Sequence, residues 1–444
     1  MLVLVGLIAV GKEYWDTWRA DHPTEVSAPA DNDEEHLFLT DSLWVDYSDL
    51  DEAVAKHDSA ALDSSLTETP DTISEKRVPS TENSDTISEE KSRSSLVVGR
   101  SITNNGKLLL DSLFQGSDTC SLRVVHYGDS QIEEDRMSMS LRRNLQARYG
   151  GGGVGLLPLF QTVPSRTVRQ TLTMNGEMQA AKGGPKRYLV YGPKKMRRDT
   201  NLYGQMGQVA IMDDALVAGS EDIVFHAEMK QKKKSESYFS QAHIWGTKDS
   251  LILLPDSSSS VTITLQGKQE VYGISLETPT GVQVDNIPMR GCSGYIFCQI
   301  DSAQLARYYA ETNTRLIILQ FGGNMIPHMT AEKNVNAYVT EMRRHIRYLK
   351  RLAPRAALLF IGPSDMCRLK EGVWTSYEML PNLDAALRRA CEKEDILYWS
   401  LFESMGGAGA MESWMQQGKA CEDGIHFTPK GAAEAGNMLW NWMQ

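Results

Sequence analysis

From residue 122 onward, short apolar runs alternate with amphipathic stretches. Residues 122–127 read as a buried strand, followed by a helix from about 135 to 149 with Gly150 as its stop. Four further apolar runs, at 282–286, 315–320, 356–361 and 396–400, are predicted strands. Helices are predicted over 331–352, ended by Pro354, and over 381–393. Thr428-Pro429 pairs an N-cap with a proline at the first helical position and opens a last helix through Trp442. Strands alternating with helices imply a parallel sheet covered on both faces.

Between about 165 and 281 the pattern changes to strand after strand. Runs at 188–191, 208–212, 223–229, 238–245, 251–254, 261–265 and 271–276 are separated by turn clusters such as Asp256-Ser257-Ser258-Ser259-Ser260. Short strands at this spacing predict an antiparallel β-sandwich. It falls after the first strand–helix unit and before the second strand, so it is expected as an inserted domain over 165–281. The α/β domain is then expected over 96–164 and 282–444.

The first hundred residues read differently. Residues 1–10 (MLVLVGLIAV) form an unbroken apolar run, half the length needed to span a bilayer and without the basic start of a secretory signal. Within a segment 1–20 it reads as the tail of an export signal or a weak membrane anchor, and otherwise as a buried strand. Residues 21–95 hold 20 Asp/Glu against 5 Lys/Arg and carry a near-repeat, Asp71-Thr-Ile-Ser-Glu-Lys and Asp85-Thr-Ile-Ser-Glu-Glu. Such a tract offers too little apolar surface to offset its ordering entropy and is expected to be a disordered acidic linker. The formal charge of the whole chain, −11, therefore belongs to the linker, and the remainder is nearly neutral. A nucleic-acid partner is not expected, because phosphate binding wants a strong basic field on the folded part. The six cysteines are scattered with no Cys-x-x-Cys pair, which points to buried thiols rather than a zinc or redox site.

Four separated segments carry candidate chemistry. Gly128-Asp129-Ser130 ends the first strand just before a helix, at the carboxyl edge where such sheets place ligands. Gly291 lies in the turn after the second strand, Gly322-Gly323-Asn324 follows the third, and Asp423-Gly424-Ile425-His426 precedes the last helix. An Asp three residues before a His can turn back to fix the imidazole tautomer, leaving the other ring nitrogen to take a proton from a serine. Singly each motif is common. In this order, each at a strand end or helix start, they point to acyl transfer.

The set resembles the four blocks of the SGNH/GDSL hydrolases, over roughly 120–160 and 282–444. The resemblance implies a flavodoxin-like sheet of five parallel strands and no metal or cofactor. It also implies Ser130 as nucleophile, His426 as general base and Asp423 as the group orienting it. The oxyanion hole would be the backbone N–H groups of Ser130 and Gly291 with the Asn324 side chain, Gly294 being the alternative donor, and Asp129 would be structural. Met325 departs from the family, which often has Asp there. The Gly150–Gly153 run and Gly128-Asp-Ser-Gln-Ile-Glu resemble exported Bacteroidetes-type polysaccharide and peptidoglycan O-acetylesterases. That implies an esterase removing acetyl groups from a periplasmic or cell-envelope glycan, with the β-sandwich as a carbohydrate-binding domain.

Two other readings stand beside it: a glycan-binding protein that kept the fold without the activity, and a lipase- or thioesterase-like member. No Gly-x-Ser-x-Gly elbow, His-Glu-x-x-His or P-loop occurs. His126 reads as a packed histidine. The basic clusters 194–198 and 230–234 read as solvated loops or as contacts for an anionic polymer. Oligomeric state is not encoded in any pattern of the chain.

Overall fold

A computed structural model describes residues 110–444 except 175–176, 179–183 and 219–222. The apolar segment 1–10 and the acidic tract 21–95 lie outside the described residues.

Five parallel strands form the central sheet: β1 (Ser121–Gly128), β2 (Gly281–Pro288), β3 (Thr314–Gln320), β4 (Ala357–Ile361) and β5 (Leu397–Trp399). Their order is β2-β1-β3-β4-β5, all in parallel register. The strands are apolar along their length because both faces are covered. On one face Val125, Tyr127, Ile317 and Leu319 share a core with Tyr338, Leu349, Leu383 and Leu387. These last four belong to α3 (Glu332–Leu352) and α4 (Leu380–Lys393), which follow α1 (Ser138–Tyr149) and α2 (Ser302–Glu311). On the other face Leu122, Val124, Leu316 and Ile318 pack with Leu141 and Leu145 of α1 and Ala435 and Leu439 of α5 (Pro429–Met443). The buried positions of α3, at 335, 338, 339, 342, 346 and 349, keep the three-and-four spacing of an apolar stripe. Truncating any of these large core side chains to Ala is expected to cost about 2–5 kcal/mol.

Between α1 and β2 stand two antiparallel sheets. One has four strands, from Val168–Met174, Glu177–Met178, Ile223–Met229 and Ser260–Leu265. The other is built from Gly155–Leu157, Lys186–Leu189, Gln208–Met212, Phe239–Gly246, Ser250–Ser258 and Gln269–Glu277. Leu172, Phe225 and Ile263 of the first sheet share a core with Phe239, Ala242 and Ile274 of the second, so the two are stacked as a sandwich. The second sheet also packs on the α/β half. Trp245 and Val209 belong to the same core as Tyr127 and Tyr308, and Tyr127 Oη donates to the carbonyl of Gln205 at 3.1 Å. A buried ionic knot ties the halves together, with Arg123 of β1 paired to Asp285 of β2 at 2.8 Å and to Glu277. The same Asp285 carboxylate accepts from Leu156 N at 2.8 Å.

Two local departures from the sequence pattern have physical causes. The helix after β1 starts at Ser138 rather than near 135, behind a short 3-10 segment Ser130–Asp135. Glu134 and Asp135 sit at φ 60° and 63°, a left-handed break that no helix continues through. Arg142 Nη2 at 3.0 Å and Thr167 Oγ1 at 2.8 Å hold the Asp135 carboxylate and fix the break. In the sandwich the Asp256–Ser260 cluster is not a turn between strands. The strand runs to Ser258, and Ser259 alone carries the chain from one sheet to the other. The pattern also omitted α2, the strands Gly155–Leu157 and Val168–Met174, and a hairpin of Cys367–Lys370 with Val373–Ser376.

Candidate active site

Three of the four segments leave the sheet at the carboxyl ends of β1, β2 and β3, and the fourth, 423–426, lies between the helix Ala410–Gln416 and α5. Gly128 ends β1 with no room for a side chain, since a Cβ there would stand 3.2 Å from the Gln320 carbonyl and against Ile132. Asp129 then caps the 3-10 turn, its Oδ1 accepting from Gln131 N at 3.0 Å, and Ser130 becomes the first residue of that turn. At the other end of the chain, Gly424 sits at φ 70° with Cys367 O only 2.5 Å from where a Cβ would stand. The hairpin strand Cys367–Lys370 thus backs the 423–426 loop, and Cys367 N donates to Gly424 O at 2.9 Å.

These constraints bring three side chains into line. Ser130 Oγ lies 2.9 Å from His426 Nε2, and His426 Nδ1 lies 2.7 Å from Asp423 Oδ2. The second Asp423 oxygen accepts from Ile425 N at 2.8 Å and His426 N at 2.9 Å. Burial pushes the Asp423 carboxyl up, but the hydrogen bonds from the imidazole and the two backbone N–H groups outweigh it and hold it below the usual range. A carboxylate kept ionised there fixes the imidazole with Nδ1–H toward Asp423 and the Nε2 lone pair toward the serine.

The residues named for the oxyanion hole flank this line. Gly291 has φ 72° and open space where a Cβ would stand, so the loop leaves room beside its amide. Gly294 is closed in by Met342 and Phe321, and its N–H points to Cys292 Sγ at 3.3 Å. The Asn324 Nδ2 group donates to Cys292 O at 3.1 Å and to Asp129 Oδ2 at 3.2 Å. Asp129 is thereby the anchor of the Asn324 amide as well as the cap of the Ser130 turn. Burial pushes its carboxyl up to about 6, against the Gln131 N–H and His426, which favour the anion. Met325 packs part-buried against the core instead of offering a polar side chain. His126 is fully buried, with Nε2 3.0 Å from Gln320 Oε1 and Nδ1 2.9 Å from Ser138 Oγ, away from Ser130.

Two residues that motif reading passed over join the serine turn to the histidine loop. Gln131 Nε2 donates to the Ile425 carbonyl at 2.6 Å, and its Oε1 lies 3.4 Å from Phe427 N. Arg136 is buried, donating to Ser130 O at 3.0 Å, Glu133 O at 3.0 Å and Phe427 O at 2.7 Å. The only advance signal was their closeness in sequence to Ser130.

Residues 263–434 match the GDSL-like Lipase/Acylhydrolase family. Over that stretch the chain carries the sequence signature of the family. The matched stretch starts inside the sandwich, so Ser130 lies outside it and joins Asn324 and His426 only through the fold. No curated protein matches this chain in sequence. Among solved structures it is similar to one described as "Peptidoglycan O-acetylesterase in action, 5 min", at 19% identity and TM-score 0.59, over 75% of this chain and 93% of that one. That likeness is one of fold and extends across the sandwich. It is also similar to a putative GDSL-like lipase from Parabacteroides merdae, at 15% identity and TM-score 0.28, over 36% of this chain and 73% of that one. A Clostridium thermocellum family 3 carbohydrate esterase aligns at 14% identity and TM-score 0.26, over 36% of this chain and 69% of that one. The match to acylhydrolases, with the triad geometry, makes the chain a carboxylic ester hydrolase.

Proposed function

We propose that this enzyme removes small acyl groups, acetyl above all, from a carbohydrate of the cell envelope. The observation that carries the reading is the continuous line from Ser130 Oγ through His426 to Asp423, at 2.9 and 2.7 Å. In this mechanism Ser130 Oγ attacks the ester carbonyl while His426 Nε2 takes its proton. The oxyanion that forms is held by the N–H groups of Ser130 and Gly291 and by the Asn324 amide, one of whose two N–H groups turns to it from Cys292 O or Asp129. His426 returns the proton to the leaving sugar oxygen, and the acyl group stays on Ser130. Water, deprotonated by the same imidazole, then releases the acid. Asp423 stays ionised throughout and stabilises the imidazolium.

Acetyl as the acyl group and a glycan as its carrier draw support from the fold shared with a peptidoglycan O-acetylesterase. In this reading the β-sandwich binds the polymer, residues 1–10 direct export or attach the chain to a membrane, and the acidic tract is the tether to a periplasmic or envelope site.

The test is hydrolysis of p-nitrophenyl esters and of acetylated wall polymers by wild type and Ser130→Ala. Acetate release by wild type alone, with preference for the shortest acyl chain, is the expected result. Equal rates in the two proteins would remove Ser130 from the mechanism, and a preference for long acyl chains would point to a lipase-like substrate instead.

A further inference from the structure

The loop that carries Gly291 is ringed by arginines. Arg290, next to it in sequence, is gripped by Glu133, with Nε 2.9 Å from Oε1 and Nη2 2.5 Å from Oε2. The Glu133 side chain is 8% exposed and that of Arg290 is 56% exposed, so the carboxylate fixes the guanidinium from beneath and leaves its outer edge to solvent. Glu133 lies three residues after Ser130, in the same short 3-10 segment Ser130–Asp135, and Arg290 is the neighbour of Gly291.

The sandwich supplies two more. Its segment 187–197 borders the same loop: the space beside Gly207 is closed by Val190, by Met289 of the Gly291 loop and by Tyr191. Arg187 Nε and Nη2 bond the Gln208 Oε1 at 3.2 and 3.0 Å. Arg197 Nε donates to Gly192 O at 2.7 Å. Neither of these guanidiniums meets a carboxylate among the described residues. Arg197 acts on the Gly291 loop, and Arg187 on the Tyr191 side chain that packs against it. Burial pushes Cys292 up to about 12, and Arg197 is among the groups opposing that rise. Burial likewise pushes Tyr191 up to about 12, with Arg187 opposing it and Cys292 and Glu133 adding to it. One guanidinium therefore stands on the loop and two on the sandwich segment that packs beside it, and among the described residues the carboxylate paired with them is Glu133. Planar forks in such an arrangement suit a planar anion.

We propose that Arg187, Arg197 and Arg290 form an anion subsite beside the Gly291 loop, and that the preferred ester is carried on a glycan bearing carboxylates. The proposal rests on the glycan-esterase reading and adds the charge of the substrate. The nucleophile segment supplies the anchor, the second block supplies one arginine and the sandwich supplies the other two. The inserted domain thus acts at the reacting ester as well as on the distant polymer.

The experiment compares kcat/KM on an acetylated uronate oligosaccharide with that on an acetylated neutral oligosaccharide of equal length, at low and high salt. Wild type is expected to favour the acidic substrate about ten- to hundredfold at low salt, through KM, and to lose most of that preference at high salt. Arg197→Gln, which leaves the Glu133–Arg290 pair intact, and Arg290→Lys should each bring the ratio toward one. Lys232→Gln/Lys233→Gln, which alters exposed lysines of a different loop, should leave it unchanged. A wild-type ratio near one, or a loss in Lys232→Gln/Lys233→Gln equal to that in Arg197→Gln, overturns the proposal. If wild type cleaves neither glycan, the glycan-esterase reading fails instead. The subsite is then read from p-nitrophenyl acetate hydrolysis: unacetylated oligogalacturonate must inhibit competitively where a neutral oligosaccharide does not, and inhibition by neither overturns it.

Discussion

The Arg136 guanidinium holds the backbone carbonyl of Ser130 at 3.0 Å while another of its nitrogens holds that of Phe427 at 2.7 Å. Residues almost three hundred positions apart in sequence are thereby fixed to one planar group, one carrying the proposed nucleophile and the other next to the proposed base. Gln131 repeats the bridge to the Ile425 carbonyl at 2.6 Å. The serine–histidine distance is set by these two side chains as much as by the backbone.

Removing either bridge should loosen the alignment without touching the reacting atoms. Gln131→Leu is expected to lower kcat on p-nitrophenyl acetate by about 10- to 100-fold, as for a displacement of order 1 Å, with a smaller change in KM. Arg136→Leu leaves two carbonyls unpaired and should also reduce thermal stability. A normal kcat in both proteins would show that the triad aligns without them.

Asp423→Asn should keep the fold and lose the chemistry. An amide at 423 turns an N–H toward Nδ1 and favours the wrong imidazole tautomer, for which a drop in kcat of about 10⁴ is expected by analogy with serine proteases. Steady-state rates with unchanged far-ultraviolet circular dichroism would test this, and a loss below tenfold would reject the role.

Asn324→Ala removes a donor from the proposed oxyanion hole and is expected to cost about 10²–10³ in kcat. Because the Asn324 amide also bonds Cys292 O and Asp129, its loss frees two acceptors as well. Asn324→Asp keeps the size and reverses the hydrogen-bonding sense, so it should be no more active than the alanine variant.

Asp129 gives a pH signature in stability. Its folded value of about 6 lies above the ordinary carboxyl value of 3.8, so the folded state holds the proton more tightly. Its contribution is fully present below pH 3.8 and is lost as pH rises through 6, a change on the order of 3 kcal/mol. Asp129→Asn cannot ionise, so its melting temperature relative to wild type should be higher at pH 8 than at pH 4. Its activity should fall at both, since the Asn324 amide loses its acceptor. An unchanged difference between the two pH values would reject the shift.

The chain declared its sheet plainly. Val124, Leu316 and Leu359 sit in apolar runs too short for helices, and the five runs became the five strands. The segments of Ser130, Asn324 and His426 were legible because sheet edges and helix starts leave glycine, proline and cap signatures. The break at Glu134–Asp135 was not, since it depends on Arg142 and Thr167 taking the Asp135 carboxylate across α1 and the sandwich. Nor were Arg136 and Gln131, whose partners are backbone carbonyls that no side-chain pattern reports. Arg197 was legible only as part of the basic cluster 194–198, and Arg187 and Arg290 belong to no motif, because what relates them is the packing of the sandwich segment beside the Gly291 loop.

Strand β1 is the innermost neighbour of both β2 and β3, and its register partner Gly281 follows the whole sandwich in sequence. A nascent chain therefore synthesises the strand leading to Ser130 long before anything exists to pair with it. The antiparallel strands between them pair only with one another among the described residues and can close first, bringing the ends of α1 and β2 within reach. Until then the apolar edge of β1 is an aggregation hazard. The inserted domain would then assist the hydrolase during its own assembly, by shortening the loop that its central strand must close.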